Sequence, residues 1–169
     1  DGKDKRIFFT AGSGLYAVDA ATGKPVPGFA ETGRLSLYTG LGINHDVGNL
    51  YVAATSPAVI YRNILIIGSA VSEAGNAAPG YVRGFDVRTG KLLWTFHTIP
   101  QPGEPGYETW PKDAYQWAGG ANNWGGMALD EKRGLVYFGT GSPSSDFYGG
   151  DRAGMNLYAN CILAFQAQT

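Results

Sequence analysis

Glu73 stands in the stretch IIGSAVSEAGNAAPGYVRGFD, residues 66–86, shortly after an apolar run that ends in Ile-Gly-Ser. A carboxylate on a loop at a strand end can wrap a hard cation such as Ca²⁺, which takes carboxylate and carbonyl oxygens. Taken alone, Glu73 reads first as a solvated loop glutamate. Trp124 stands in GGANNWGG, residues 119–126. Gly119, Gly120, Gly125 and Gly126 let a flat ligand approach the backbone, and a tryptophan packed into a core would not need them. The remaining polar residues form no catalytic constellation. His45 and Asp46 are adjacent and read as loop residues. His97 follows a strand and reads as surface. Glu104, Glu108 and Asp113 lie among prolines and aromatics, as expected of a long covering loop. The chain has no Ser-His-Asp order, no zinc-ligand spacing and no phosphate-binding loop. Its single cysteine, Cys161 in NCILAF, cannot form an internal disulfide and reads as a buried strand residue.

These groups have to be held by strands. RGFDVRTGKLLWTF, residues 83–96, is a hairpin: Phe85 and Val87 alternate around Asp86, Thr89-Gly90 signals a turn, and Leu92, Leu93, Trp94 and Phe96 resume. The Asp86 carboxylate can accept hydrogen bonds from the turn amides. The pattern repeats. In AVDAATGKPVPGF, residues 17–29, Asp19, Thr22, Gly23 and Lys24 superpose on Asp86, Thr89, Gly90 and Lys91, and Phe29 stands near the place of Trp94. AFQAQT at 164–169 is a partial third copy, with Gln166 for Asp and Thr169 for Thr. Further strands are expected at 6–12, 14–20, 57–61, 63–69, 81–87, 91–96, 124–130, 134–140 and 160–166. Long connections are expected at 28–49, 97–121 and 141–159. Repeated four-stranded antiparallel units with a shared turn motif predict an all-β chain: a partial β-propeller of about two to three four-stranded blades. The expected division is a partial blade and connection over 1–49, a complete blade plus long loop over 50–121, and a partial blade over 122–169.

Composition agrees and excludes other classes. The chain has 169 residues, a formal charge of −1, 16% charged residues, 26 Gly, 9 Pro and 13% aromatics. Low charge with many glycines and aromatics suits turn-rich β structure. Without a basic excess, nucleic acid is not an expected partner. The most apolar run, AVIYRNILIIGSA, is broken by Arg62 and Asn63, short of a membrane-spanning helix. No signal peptide is evident, and the start at Asp1 suggests a processed or excised piece. Two cut blades would leave strand edges exposed, so a longer native protein or self-association of copies is expected.

The pattern Ala/Gly-x-Asp-x-x-Thr-Gly-Lys-x-x-Trp resembles the tryptophan-docking repeat of pyrroloquinoline quinone (PQQ)-dependent dehydrogenases. These are eight-bladed propellers of the methanol dehydrogenase and membrane glucose dehydrogenase type. The resemblance covers nearly the whole chain. Counted from Ile-Gly-Ser, it implies that Glu73 ligates a metal and that Ala70, Val71 and Ser72 lie against PQQ. It implies that Trp124 is the floor under the PQQ ring and that Asn122 bonds the cofactor's polar edge. In ATSP, residues 54–57, the Thr55 hydroxyl matches a further PQQ contact. Phe-Gly-Thr-Gly-Ser-Pro at 138–143 places Ser142 where methanol dehydrogenases carry a calcium-ligating asparagine. A hydroxyl is a weaker ligand, and this departure leans the chain toward the glucose-dehydrogenase-like branch.

The resemblance implies an enzyme that oxidises an alcohol or hemiacetal carbon of a sugar. Hydride or its equivalent passes to the quinone C5 while a metal polarises the quinone carbonyl. The metal is Ca²⁺ or another divalent or lanthanide ion. The electron acceptor is a quinone or a cytochrome, and the setting is the periplasm. The family's catalytic aspartate and a basic residue belong beyond Thr169, and its arginine and cysteine pair before Asp1, so the chain is expected to carry one wall of the site and no base. The alternative is a non-catalytic propeller scaffold for protein–protein interaction, which shares the repeat but needs neither a glycine-flanked tryptophan nor a glutamate after Ile-Gly-Ser. A third reading is a sugar-binding propeller that uses the aromatic loop 97–117.

Overall fold

The repeated turn of the sequence repeats in space. In the computed structural model, which describes residues 4–42 and 50–168, Asp19 Oδ1 accepts the Thr22 amide at 2.8 Å and the Thr22 hydroxyl at 2.7 Å. Asp86 Oδ1 accepts the same two groups of Thr89 at 2.7 and 2.8 Å. Gly23 and Gly90 take φ of 67° and 72°, where a side chain would be strained. A further copy stands at Asp130–Gly134. The Arg133 amide donates to Asp130 Oδ1 at 3.0 Å, and Gly134 has φ 67°. There Arg133 replaces Thr and bonds Asp130 Oδ2 through its guanidinium at 2.7 Å, which hides the copy from a search for Thr-Gly.

Each turn closes a hairpin. The first sheet holds β1 (Arg6–Ala11), β2 (Gly14–Asp19) and β3 (Arg34–Ser36). β4 (Val52–Ala53) and β7 (Ala70–Val71) pair as a small ribbon. β5 (Val59–Tyr61), β6 (Ile64–Ile67), β8 (Val82–Asp86) and β9 (Leu92–Phe96) form a four-stranded sheet in the order β5-β6-β8-β9. β10 (Met127–Asp130), β11 (Leu135–Gly139) and β12 (Ile162–Gln166) form the last sheet. All the strand pairs are antiparallel. β3 falls inside the expected 28–49 connection. It is three residues long and shows no alternating run of its own. Its pairing of Leu35 with Leu15 places two buried leucines side by side.

β6 explains how the sheets stack. All four of its residues are buried. Side chains alternate across a strand, so Leu65 and Ile67 join one core and Ile64 and Ile66 the other. The first core also takes Leu15, Phe29 and Phe85 from the first two large sheets, and the second takes Val82, Val136 and Phe138 from the second and third. Phe29 lies against Gly90 of the next hairpin, and the Ala30 amide donates to Thr89 O at 2.9 Å. Trp94 covers Gly84 on its own sheet so closely that a Cβ there would collide with the indole, and its ring lies 5.4 Å from Phe165 of the next sheet.

Three expectations need correction. The 97–121 loop is more than a cover. It makes single 3₁₀ turns at Tyr107–Thr109 and Ala114–Gln116, buries Trp110, Ala114 and Ala118 in the first core, and ties the Trp110 indole N–H to Leu157 O. His97 is not a surface residue. Its ring packs edge-on to Tyr81, and Nδ1 lies 2.7 Å from Glu104 Oε1, because Glu104 folds back to close the Gln101 turn. Cys161 sits just ahead of β12 and is only partly buried, its Sγ donating to Ala159 O at 3.1 Å. His45, Asp46 and Thr169 lie outside the described residues.

Candidate functional site

Three loops leave the sheets on one side and are sewn together by main chain. Gly120 lies between Pro79 and Pro143 and bridges to both. The Gly80 amide donates to Gly120 O at 2.8 Å, and the Gly120 amide to Ala78 O at 3.0 Å. The Ala121 amide donates to Ser142 O at 2.8 Å, and the Gly141 amide to Asn122 O at 2.9 Å. Glycine is required here, because φ at Gly120 is 72° and a Cβ would press on the backbone of 142–144. Loops carrying 70–80, 119–126 and 140–146 thereby form one surface.

That surface lines a cleft of about 500 Å³. Thr55, Ala70, Val71, Glu73, Asn122, Trp124 and Ser142 all face it. Of the cofactor and metal contacts that the resemblance implies, Ser72 does not line it; its Oγ accepts the Ala74 amide at 3.1 Å. Trp124 is 61% exposed, an open wall rather than a packed core residue. The backbone holds it. Thr55 Oγ1 and Ser56 Oγ both donate to Trp124 O at 2.9 Å. The buried Asn123 amide donates to Gly126 O at 2.9 Å and to Gly139 O at 2.8 Å, pinning the loop to the end of β11. Asn122 Nδ2 donates to Ser69 O at 2.9 Å, and among the described residues no other side-chain bond engages its second N–H or its Oδ1.

The sequence reading missed Asp146, Asn160 and Gly141 of the cleft, and Asn123 and Ser56 behind it. Asp146 and Asn160 lie in the glycine- and serine-rich 141–159 connection, whose path is set by the loop stitching. The Asp146 amide donates to Glu73 O at 3.3 Å, and Ser142 Oγ donates to Asn160 Oδ1 at 3.1 Å. Two carboxylates (Glu73, Asp146), two side-chain amides (Asn122, Asn160) and two hydroxyls (Thr55, Ser142) line the cleft, oxygen donors of the kind a hard cation takes. Among the described residues, no three His, Cys, Asp or Glu side chains converge as a ligand cluster. The donor chemistry fits a hard cation only with neutral oxygens in the set. The open indole fits a flat ring, but the expectation that the flanking glycines admit one is corrected: Gly119, Gly120 and Gly126 face Ala77, the 142–144 backbone and Ser56, and neither these three nor Gly125 line the cleft.

The chain matches the family model "PQQ: Glucose/ethanol/alcohol dehydrogenase, beta-propeller domain" over residues 1–169, and it belongs to that family. It is 34% identical to quinoprotein glucose dehydrogenase A of Acinetobacter calcoaceticus, over 98% of this chain and 20% of that protein. It is 32% identical to quinate/shikimate dehydrogenase (quinone) of Acinetobacter baylyi, with the same coverage. It superposes on the quinohemoprotein alcohol dehydrogenase of Comamonas testosteroni with a TM-score of 0.76 at 26% identity, covering 97% of this chain and 24% of that one. The sheets described above are therefore part of a β-propeller. The chain spans about a fifth of the length of the curated relatives it matches.

Proposed function

We propose that this chain forms one wall of a PQQ and cation site in a glucose-dehydrogenase-like enzyme that oxidises an alcohol or a sugar. The observation that carries the reading is the exposed Trp124, fixed by Thr55, Ser56 and Asn123 at the mouth of a cleft that also presents Glu73, Asn122 and Ser142. When bound, the quinone accepts two electrons and the cation polarises its carbonyl. Trp124 stacks on the ring and keeps water from one of its faces. Val71 and Ala70 close the side of the cleft. Asn122 orients a polar edge with its remaining N–H and Oδ1. Thr55 Oγ1 can accept there while it donates to Trp124 O. Glu73, and more weakly Ser142, offer oxygens to Ca²⁺ or a related ion. None of these residues is assigned the role of base, and proton removal from the substrate is left to residues outside this chain. A periplasmic setting and a quinone or cytochrome acceptor complete the reading. The relatives' names, one a quinone-linked dehydrogenase and one a quinohemoprotein, support the acceptor.

The test is a PQQ titration of the full-length polypeptide that carries this chain, with and without Ca²⁺, followed by tryptophan quenching. Trp124→Ala removes a stacking surface and its burial, so affinity is expected to fall about tenfold or more. Glu73→Ala is expected to remove the calcium dependence. If no metal gives saturable quenching in the unaltered protein, the site assignment fails.

A further inference from the structure

We infer that Asn160 is the amide-oxygen ligand that this cleft offers a cation, in the place that Ser142 leaves unfilled. The inference rests on the cation half of the reading above and concerns a residue outside the expected pattern.

The resemblance to methanol dehydrogenases implies an asparagine at residue 142, and a serine stands there. A hydroxyl has a smaller dipole than an amide carbonyl and is the poorer partner for a hard cation, whose usual neutral ligands include Asn carbonyls. The structure puts an amide beside it. Ser142 Oγ donates to Asn160 Oδ1 at 3.1 Å, and both residues line the cleft with Glu73 and Asp146. The hydroxyl has a single proton. That proton is spent on Asn160, so the bond fixes the amide oxygen beside residue 142 and leaves the serine lone pairs free.

The backbone under Asn160 is equally fixed. Its amide donates to Gly141 O at 3.1 Å. On either side, the Thr140 amide donates to Cys161 O at 2.9 Å and the Cys161 amide to Thr140 Oγ1 at 3.1 Å. Residues 140–142 and 159–161 thus run side by side. The amide oxygen reaches from one strand of this pair to the position of the other. The remaining donors argue the same way. Among the described residues, Glu73 and Asp146 are the only carboxylates lining the cleft, and Ca²⁺ takes six to eight oxygens. An amide oxygen is therefore needed more here than in a site rich in carboxylates.

A competing explanation is local. Asn160 has φ 51°, in the left-handed region that asparagine tolerates better than most residues. The two explanations separate with glycine, which keeps that backbone and removes the amide. The experiment uses the full-length polypeptide without PQQ. Tb³⁺ is added, its luminescence sensitised by the nearby Trp124, and Ca²⁺ is used to displace it. Asn160→Gly is expected to weaken Tb³⁺ binding about tenfold or more, in the range that loss of a supporting group at a metal site produces. Asn160→Asp keeps an oxygen and is expected to bind at least as tightly as the unaltered protein. The pair Ser142→Asn with Asn160→Gly is expected to recover binding to within about threefold, which a residue needed only for its backbone could not produce.

Unchanged Tb³⁺ affinity in Asn160→Gly overturns the inference, as does failure of the paired substitution to recover it. The outcome is separable from the cofactor reading. If PQQ binds with calcium dependence and Asn160→Gly changes nothing, the cofactor reading stands and this inference falls. If Tb³⁺ binding follows the pattern above while PQQ never binds, the ligand assignment stands and the cofactor reading falls.

Discussion

Asp19, Asp86 and Asp130 do the same work at three turns, and the work depends on charge. The Asp19 carboxyl is held below its usual 3.8 chiefly by the Thr22 hydroxyl, with the Thr22 amide adding to it. Burial pushes Asp86 the other way, but the hydrogen bonds from Thr89 and the Arg88 amide win and its value is also lowered. At Asp130 the Arg133 side chain is the main cause. In each case the folded carboxyl binds a proton less readily than the unfolded one. The contribution to stability is therefore complete above the unfolded value near 3.8 and is lost as pH falls through the lower folded values. Denaturant midpoints are expected to lose stability through these groups only below about pH 4. Asn at 19 and 86 keeps a turn acceptor and removes the proton linkage. The double variant Asp19→Asn, Asp86→Asn should show a shallower acid slope. An unchanged slope would mean that the turns do not need the charge. These turns were legible because an aspartate, a threonine and a glycine at fixed spacing satisfy one another locally. The copy at Asp130 was hidden because Arg133 does the threonine's work with different atoms.

The hairpins could be read from sequence because each carries its own turn and its own alternation. β3, β4 and β7 could not. They are two or three residues long, and their partners create them: Leu35 finds Leu15, and Val52 finds Val71. The loops are a harder case. Glu73, Asn122, Trp124 and Ser142 could be named one by one, but their meeting depends on Gly120 bridging Pro79 and Pro143, which no local pattern encodes. Asn123 shows what such an element costs to disturb. Its side-chain amide satisfies two carbonyls, Gly126 O and Gly139 O, and the β6 end packs so close that a Cβ on Gly68 would collide with it. Asn123→Ala leaves two partly buried acceptors unpaired and is expected to cost about 1–3 kcal/mol in chemical denaturation. It should also free Trp124, lowering its fluorescence anisotropy. Asn123→Asp has the shape but no N–H donor, so it should fail in the same way. If the aspartate variant matches the unaltered protein, packing rather than the two hydrogen bonds holds the loop.

At the scale of the whole molecule, the sheets are stable where they face one another and unfinished where they do not. β6 is buried on both faces because a sheet lies on each side of it. β1 alternates in the same way, yet Ile7 and Phe9 stay exposed, and Ile162 of β12 is 88% exposed. Two outer sheets therefore show strand-like apolar residues to solvent, together with strand edges whose N–H and C=O groups face outward. In the β-propeller family to which the chain belongs, such faces are covered by neighbouring sheets. As a separate polypeptide of 169 residues, the chain has only a second copy of itself to cover them. Sedimentation velocity over a hundredfold concentration range is expected to show reversible self-association. Ile7→Lys with Phe9→Lys places charge on one outer face without touching the turn at Asp19, and should shift the distribution toward monomer. Ile162→Lys should do the same from the other side. Ile7 and Phe9 lie on β1, away from the cleft, so that pair of changes should leave Tb³⁺ affinity unaltered. A compact monomer at every concentration would mean that these faces are stable in water as they stand.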